Sequence, residues 1–334
     1  DADGTCGSAL LYGALNDIRE HSTIYGGDGG GVLTDGVVDV YLPDREKDGY
    51  GVATHTVERL AEEGTNLLIT VDCGIANDVS LGRAKELGVD VIICDHHQLG
   101  EKLPEGAIII HPLAPGETYA NKHLCGTGVA FKLASALIVE ARKRGADFPD
   151  GYEKWFLDLV GIATVTDVMP LLGENRTLEL FGLKVLNKTR RPGLQKIIEY
   201  CRTPMGELET ESIGFQIGPR INAAGRMKSA SIAFNAITAK TKETAEVFAL
   251  ELEQLNRDRQ RVSDAAYTEA RATIASRTGE AKIHVVWSEG WMPGIIGLVA
   301  GKITNNFGVP AFALTKVGEH YVGSGRSAGG FHLV

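Results

Sequence analysis

The sequence predicts an α/β protein in which a long helix joins a lobe with a mostly parallel sheet to a smaller α/β lobe. Three observations support this prediction. In the first half, short apolar runs alternate with amphipathic helical patterns, as in successive β-α-β units. A polar stretch without glycine or proline, residues 241–278, has the length and spacing of one long helix. Apolar runs then return in residues 279–334.

The elements of the first half follow in order along the chain. Each strand is predicted from an apolar run bounded by turn residues, and each helix from apolar residues at helical spacing. A mostly helical stretch follows over residues 153–202. The predicted strands are Val37–Pro43, Asn66–Asp72, Asp90–Asp95 and Ala107–Pro112, and the predicted helices are Thr5–His21, Thr54–Gly64, Asp78–Gly88 and Gly126–Gly145.

The end of the chain repeats the α/β pattern. The predicted strands are Ala281–Trp287, Ala311–Leu314 and Tyr321–Ser327, with a helix over Gly294–Phe307. We therefore predict a first domain over residues 1–240, with a helical portion over about 150–240, a linker helix over 241–278 and a second domain over 279–334. Because the sequence opens on an aspartate-rich segment and stops after a glycine-rich turn, we expect it to be part of a longer polypeptide.

The charge of the chain is unevenly distributed. It has 34 Lys and Arg against 43 Asp and Glu, a net charge of −9. Residues 1–180 carry 14 basic and 29 acidic side chains, a net charge of −15, whereas residues 181–334 carry 20 and 14, a net charge of +6. The acidic total therefore does not exclude a nucleic-acid partner, because the basic half can contact phosphates.

The cysteines and the hydropathy exclude other classes. The five cysteines contain no CxxC pair, which argues against a disulfide framework and against a zinc finger. No apolar run is long enough to span a bilayer. We expect a reducing, cytoplasmic setting.

Acidic residues and histidines stand at the ends of predicted strands. Asp72 ends one strand, the triplet DHH (residues 95–97) ends the next, and DADG (residues 1–4) directly precedes a helix. Ligands of open α/β sheets collect at the carboxyl ends of the strands. Carboxylates mixed with imidazoles suit Mn²⁺ or Mg²⁺, and two such ions promote attack of water on a phosphate ester. The residues expected to converge are Asp1, Asp3, Asp72, His96 and His97.

Each of these residues also has a structural interpretation. DADG is a common aspartate-rich turn, and a strand-terminal acid such as Asp72 is often a helix N-cap. Asp167 is a further candidate, because an acid at the end of an apolar helix needs a partner or a metal, unless it simply lies at the surface. The set as a whole favours a metal site.

Together these motifs resemble the DHH phosphoesterase superfamily, and within it the RecJ-type single-strand-specific exonucleases. DADGT, VDCGI, CDHHQLG and TVTDVMPL resemble the four ordered motifs of the metal site. LCGTGVAFKLA, GPRINAAGRM, LNRDRQ, PGIIGLVAGKI and GSGRS extend the resemblance over essentially the whole chain. The resemblance implies a DHH lobe, a second lobe of DHHA1 type and two Mn²⁺ or Mg²⁺ ions.

The resemblance also implies roles for individual residues. His97 would hold the scissile phosphate or orient a ligand, and Asp95 would fix a histidine tautomer. The metal ligands would be Asp1, Asp3, His96, Asp167 and the bridging Asp72. The groups that would bind the nucleic-acid backbone are Arg220, Asn222, Arg226, Gly325, Arg326 and Ser327, since guanidinium groups and exposed N–H groups suit phosphate oxygens.

The sequence differs from the family pattern in three places. It does not include the acidic or histidine residues that usually precede DADG, nor the glycine-rich motif and OB-like domain that usually follow GSGRS. Met292 stands where relatives often carry histidine. Single-strand channels also use stacking aromatics, for which Tyr50 and Trp291 are candidates.

The predicted function is therefore that of a metal-dependent 5′→3′ exonuclease that releases 5′-mononucleotides from single-stranded DNA. We expect a monomer with no membrane partner, and with other DNA repair proteins as further partners. One alternative is a nanoRNA or cyclic-dinucleotide phosphodiesterase of the same superfamily, against which the long linker helix and GPRINAAGRM argue. The other is a non-catalytic, replication-associated DNA-binding relative, against which the retained acidic and histidine residues argue.

Overall fold

The chain folds into two compact units. A computed structural model describes residues 1–25, 36–44, 48–277, 280–329, 331 and 333. The first unit comprises Asp1–Asn222 and Ala230–Leu252, and the second comprises Ala223–Ser229 and Glu253–Val334. Among the described helices, none combines the length and the apolar character needed to cross a membrane.

The first unit contains a parallel sheet of three strands. Strands β1 (Leu67–Val71), β2 (Asp90–Cys94) and β3 (Ile108–Ile110) are ordered β1-β2-β3. The register pairs Val71 with Cys94, so the residues that follow β1 and β2 emerge side by side at one edge. This arrangement confirms three of the predicted strands: β1 and β2 are slightly shorter than expected, and β3 has three residues instead of six.

The predicted strand Val37–Pro43 is wrong. Residues 36–44 belong to neither sheet. None of their apolar side chains is fully buried: Val37 is 89% exposed, Tyr41 is 41% exposed, and Val38, Val40 and Leu42 are half-buried. Pro43 also lacks the N–H group that a ladder requires.

Helices surround this sheet and form most of the first unit. Helix α1 begins at Ala2, so DADG forms the first helical turn rather than a turn before the helix, which corrects the expectation. Helices α1, α4 and α5 pack against one another around the buried Leu10, Ile138 and Ile162. The helices are α1 (Ala2–Tyr25), α2 (Thr54–Glu62), α3 (Asp78–Glu86), α4 (Gly126–Lys143), a 3-10 helix (Tyr152–Phe156), α5 (Leu157–Thr166), α6 (Gly173–Leu186) and α7 (Pro192–Glu199).

The helical portion predicted up to about residue 240 continues after α7. This continuation comprises α8 (Thr210–Ser212), a π-helical turn (Ile213–Ile217), α9 (Gly218–Met227) and α10 (Ala230–Thr238). Glycine and proline in GPRINAAGRM lower its helix propensity. Burial of Ile217 and Ile221 shows that tertiary packing stabilises the helical conformation.

Helix α11 (Lys242–Ala275) is a single helix of 34 residues, as its composition predicted. The boundary between the two units falls within it, after Leu252. The predicted end of this helix, Thr278, lies outside the described residues.

The second unit contains a three-stranded mixed sheet and one covering helix. Strands β4 (His284–Trp287) and β5 (Ala311–Val317) are parallel, and β6 (His320–Arg326) pairs antiparallel with β5. Helix α12 (Pro293–Phe307) packs on β5 and β6. The core is formed by residues that include Val286, Trp291, Ile295, Val299 and Ile303.

Candidate metal centre

Three carboxylates surround the imidazole of His96. The Nε2 atom of His96 lies 3.1 Å from Oδ1 of Asp72, 3.6 Å from Oδ2 of Asp167 and 3.7 Å from Oδ2 of Asp3. The His96 side chain is 10% exposed. Residues from four separate segments, at the ends of α1, β1, β2 and α5, thus meet at one point.

The potential ligand atoms form two overlapping groups. Asp72, His96 and His97 form one, and Asp3, His96 and Asp167 form the other, with the ligand atoms of each group within 4.8 Å of one another. The clusters found among the described residues do not include Asp1. Asp1 is exposed, and its Oδ1 accepts a hydrogen bond from the N–H of Gly4 at 3.2 Å.

Asp3 is fixed by the N-terminus of helix α4. Its two carboxylate oxygens accept hydrogen bonds from the N–H groups of Gly126 and Thr127, each at 2.7 Å. The Thr127 hydroxyl also donates to the Asp3 carbonyl at 2.8 Å. These N–H groups have no partner within their own helix, and the helix dipole favours a negative charge there. The contacts therefore fix the Asp3 side chain in place, with Oδ2 at 3.7 Å from Nε2 of His96.

Asp72 occupies a strained backbone position directly after β1. Its φ of 61° lies in the left-handed region, which non-glycine residues seldom adopt. Its N–H donates to the carbonyl of Cys94 at 2.9 Å, which extends the β1–β2 ladder. Burial, together with the nearby charge of Asp3, raises the pKa of Asp72 to about 9.

Asp95 organises the turn that carries both histidines. The side chain is 1% exposed and accepts hydrogen bonds from the N–H groups of Ile75, His96 and His97. Oδ1 of Asp95 also lies 2.7 Å from Nδ1 of His97. Burial favours a higher pKa for Asp95, but the hydrogen bonds outweigh it and hold the pKa at about 2. The same hydrogen bond, more than any other contact, raises the pKa of His97 to about 9.

Asp167 is the C-cap of helix α5, at the place where the apolar helix was predicted to end. The N–H groups of Val168 and Met169 bond to the carbonyls of Val165 and Thr164, a Schellman closure. Val168 takes the left-handed position of this motif with a φ of 57°, where glycine is usual. Burial, followed by the charge of Asp3, raises the pKa of Asp167 to about 6.

The residues of this cluster fit a divalent cation. Oδ2 of Asp167 is buried and makes no hydrogen bond to the described residues. Burial, followed by the charge of the neighbouring Asp3, raises the pKa values of both Asp72 and Asp167, so a negative charge on either is unfavourable without a cation. A hard cation stabilises these carboxylates in their ionised form and takes carboxylate and imidazole ligands of this kind.

The two predicted substrate-binding residues of the first unit have structural partners. Arg220 donates to the carbonyls of Gln216 and Tyr200, at 2.8 and 2.7 Å. Oδ1 of Asn222 accepts a hydrogen bond from the N–H of Ala2 at 2.8 Å. Asn222 thereby satisfies an N–H group at the start of α1, next to Asp1 and Asp3.

The remaining predicted substrate-binding residues belong to the second unit. Arg226 donates to the carbonyl of Gly294 at 3.2 Å, at the start of α12. Gly325 and Arg326 end strand β6, and the Arg326 guanidinium donates to the carbonyl of Gly325 and the hydroxyl of Ser324. The hydroxyl of Ser327 donates to the carbonyls of Ala328 and Phe331.

Of the two candidate aromatics, only Tyr50 is at the surface. Tyr50 is 84% exposed. Trp291 is 6% exposed, packs in the core of the second unit and donates its Nε1–H to Glu269 at 2.8 Å. The expectation that Trp291 offers a stacking surface is therefore wrong.

Sequence reasoning missed two residues that support the site. His111 directly follows β3, and its Nε2 donates to the carbonyl of His97 at 2.8 Å while Nδ1 accepts from the N–H of Leu113. The strand-end rule applied to Asp72 would also have found His111. Asn175 is buried and donates to the carbonyls of His123 and Pro170, which no local signal in the sequence indicates.

Comparisons with known proteins agree with the fold and the motifs. The family model described as "DHH family, N-terminal domain" matches residues 1–164. The single-stranded-DNA-specific exonuclease RecJ of Bacillus subtilis is 40% identical over 100% of this chain and 39% of its own length. The protein of the same name from Escherichia coli is 33% identical over 100% of this chain and 57% of its own length. The chain thus spans about two-fifths to three-fifths of these relatives.

Solved structures show the same similarity. A crystal structure of exonuclease RecJ bound to manganese superimposes with a TM-score of 0.79 at 31% identity, covering 100% of this chain and 77% of that one. The structure of RecJ in complex with Mn²⁺ from Thermus thermophilus gives a TM-score of 0.75 at 30% identity, covering 94% of this chain and 42% of that one. The motifs, the fold and these matches together show that the chain belongs to the DHH family, in its RecJ branch.

Proposed function

We propose that this chain hydrolyses the phosphodiester bonds of single-stranded DNA as an exonuclease that depends on Mn²⁺ or Mg²⁺. The observation that carries the proposal is the convergence of Asp3, Asp72 and Asp167 on Nε2 of His96, within 3.1 to 3.7 Å. The names of the relatives, which are single-stranded-DNA-specific exonucleases, support the choice of substrate.

The cluster has enough donors for two cations. Asp3, His96 and Asp167 would hold one, and Asp72 would be shared with the second, near His97. The resemblance to RecJ-type enzymes adds Asp1 as a further ligand of the second cation. Two bound divalent cations supply a water of lowered pKa and neutralise the charge that develops on the phosphate oxygens. The fixed hydrogen bonds to Asp3, and those of Asp95 to its own turn, hold the donors in place before any ligand arrives.

His97 is suited to bind the scissile phosphate. Its side chain is 57% exposed, whereas that of His96 is 10% exposed, so His97 reaches solvent beside the buried cluster. Asp95 lies 2.7 Å from its Nδ1, and this contact raises the pKa of His97 to about 9 in the metal-free protein, which favours the protonated imidazole. A cationic ring next to the cluster offers Nε2–H to a phosphate oxygen.

The remaining polar residues would bind the strand. In the second unit Arg226, Arg326 and the hydroxyl of Ser327 are the proposed contacts to the phosphates. In the first unit the proposed contacts are Arg220 and Asn222, and Asn222 also positions the start of α1. The 5′→3′ direction and release of 5′-mononucleotides follow from the resemblance to RecJ-type enzymes.

Product analysis on labelled strands tests this proposal. The chain is incubated with Mn²⁺ and a 20-nucleotide single strand labelled at its 5′ or its 3′ end. We expect a labelled mononucleotide from the 5′ label at once and a ladder of shortened strands from the 3′ label. We expect Asp72→Ala to lower the rate by more than roughly a hundredfold, since losing a ligand costs more than losing its support.

Three outcomes would count against the proposal. Activity confined to dinucleotides would support the phosphodiesterase alternative. Binding of the strand without any Mn²⁺-dependent hydrolysis would support the non-catalytic alternative. Substantial activity of the Asp72→Ala variant would contradict the assignment of the cluster.

A further inference from the structure

A surface of the first unit, distant from the metal cluster, concentrates unneutralised positive charge. Residues 180–198 contain five basic side chains and no acidic one, within a chain of net charge −9. Three of the five, Lys184, Lys188 and Arg190, are exposed. None of the three has a described carboxylate oxygen within 4.0 Å.

The other two basic residues of this segment have a different role. Arg191 is 3.2 Å from the buried Asp158. Lys196 lies 2.8 Å from both Glu199 and Glu246. Because their charges are neutralised internally, they do not contribute to the exposed surface.

Aromatic rings lie between the three exposed cations. The Nζ atom of Lys184 lies 4.9 Å from the centroid of the Phe181 ring. The Cζ atom of Arg190 and the Nζ atom of Lys188 lie 3.7 Å and 5.9 Å from the centroid of the Trp155 ring. Phe181 and Lys184 lie one turn apart on helix α6, and Lys188 follows two residues after the end of that helix. Helix α6 also contacts the 3-10 helix that carries Trp155, so the two groups are neighbours. We call Trp155, Phe181, Lys184, Lys188 and Arg190 the basic stripe.

We propose that the basic stripe binds single-stranded DNA, as a second contact separate from the metal cluster. A surface on which cations alternate with aromatic rings suits a single strand, because the phosphates bind Lys and Arg and the unpaired bases stack on the rings. Phe181 is 48% exposed and offers such a ring. The Arg190 guanidinium, already stacked on Trp155, offers a second flat surface for a base.

The position of the stripe keeps the two contacts apart. Trp155 lies just before helix α5, and Asp167 caps the other end of that helix. A helix of ten residues spans about 15 Å. Helix α6 returns alongside α5, where a Cβ on Gly161 would lie 3.0 Å from Cα of Gly182. The stripe thus lies at the end of this helix pair that is remote from the cluster.

A DNA-binding assay without metal ions tests this inference separately from hydrolysis. The choice of DNA rests on the proposed function, so the assay is fluorescence anisotropy of a labelled 20-nucleotide oligo(dT) in EDTA, where hydrolysis plays no part. The test variant is Lys184→Gln/Lys188→Gln/Arg190→Gln. The matched control, Arg59→Gln/Arg83→Gln/Lys102→Gln, removes the same charge from other surface positions of the first unit.

We expect the stripe variant to bind at least about tenfold more weakly at low salt than the wild type. The slope of log K against log salt should become shallower by about 2, since each phosphate contact to a single strand contributes about 0.7. Phe181→Ala should weaken binding roughly five- to hundredfold without changing this slope, because a stacking contact is lost. The control variant should bind as the wild type does.

Other results would overturn the inference. The first is a stripe variant that binds oligo(dT) as tightly as the wild type does. The second is a control variant that loses as much affinity as the stripe variant, which would show that only the net charge matters. If polyglutamate displaces the labelled oligo(dT) as effectively as unlabelled oligo(dT) does, the stripe would instead bind an acidic protein partner. If binding depends on the stripe but the chain shows no hydrolysis, the proposed function is refuted and the inference about the stripe stands. If the chain hydrolyses DNA but the stripe variant binds as the wild type does, the inference is refuted and the proposed function stands.

Discussion

A Cβ atom placed on Gly126 would lie 2.6 Å from the Cβ of Asp72 and 2.9 Å from its Cα. Gly126 is the first residue of helix α4, and its N–H binds Asp3. The helix can approach the strand end this closely only because residue 126 has no side chain. The backbone contact thus sets the spacing between two carboxylates of the cluster.

Gly126→Ala should therefore damage the cluster more than it damages the fold. Asp72 must move by several tenths of an ångström, so we expect hydrolysis to fall roughly a hundredfold. Gly128→Ala, two residues along the same helix, is the matched control, because its Cβ would meet Leu124 only at an ordinary 3.4 Å. Hydrolysis rates and Mn²⁺ titrations of the two variants check this prediction, and equal behaviour would contradict it.

Val168→Gly should stabilise the protein. Val168 holds a left-handed backbone conformation, costly for a β-branched residue, and its side chain is 85% exposed. Removing the backbone strain should stabilise the folded state by about 1–2 kcal/mol. This exceeds the destabilisation of about 0.5–1 kcal/mol that glycine causes because it gives the unfolded chain more conformational freedom. Urea unfolding should thus show a higher midpoint. Val247→Gly, at an exposed β-branched residue inside helix α11, should lower the midpoint. A lower midpoint for Val168→Gly as well would refute the interpretation.

Mn²⁺ affinity should rise with pH between 6 and 8. In the metal-free protein the raised pKa of Asp72, about 9, keeps this carboxyl protonated through that range, and a cation must displace the proton. Asp167, with a pKa of about 6, is largely ionised above pH 7, so it contributes to the proton release mainly below pH 7. Release of about one proton per chain implies roughly a tenfold gain in affinity per pH unit.

Calorimetry in two buffers of different ionisation enthalpy measures this proton release directly. Titrations at pH 6, 7 and 8 give the affinity at each pH. An affinity independent of pH, with equal heats in both buffers, would show that Asp72 binds no proton in the metal-free protein.

Asn175 should prove to be a positioning residue for Asp167. Its side-chain amide joins the carbonyl of Pro170, just after Asp167, to that of His123, just before α4. Asn175→Asp removes both donated hydrogen bonds, which should cost about 1–3 kcal/mol of stability and lower Mn²⁺ affinity about tenfold. Asn187→Asp removes a similar pair of hydrogen bonds, to Leu183 and Leu208, away from the cluster.

The two variants separate stability from metal binding. Urea unfolding should show comparable losses in both. Mn²⁺ affinity should fall only in Asn175→Asp, and an equal affinity in the two variants would reduce Asn175 to a purely structural role.

Much of the site was predictable because parallel strands place their ends together. The apolar runs before Asp72 and Asp95 located β1 and β2, and their pairing brings those ends side by side. Asp167 was predictable because an apolar helix pattern stops there. In these places local pattern and global fold agree, so the sequence is sufficient.

The remainder depends on contacts between distant segments. Nothing near residue 3 indicates that the N–H groups of Gly126 and Thr127 hold Asp3. The failed strand at Val37–Pro43 has a suitable local pattern but joins neither sheet in the described part of the chain. Burial of Trp291 depends on the packing of α11 and α12, which an aromatic residue type does not predict.

Anomalous scattering from crystals grown with Mn²⁺ tests the central claim most directly, namely that this cluster is a two-cation centre. We predict two manganese peaks per chain, one contacted by Asp3, His96 and Asp167 and both contacted by Asp72, with loss of at least one in Asp72→Ala. A cluster without manganese, or manganese bound only by other residues, would contradict the account.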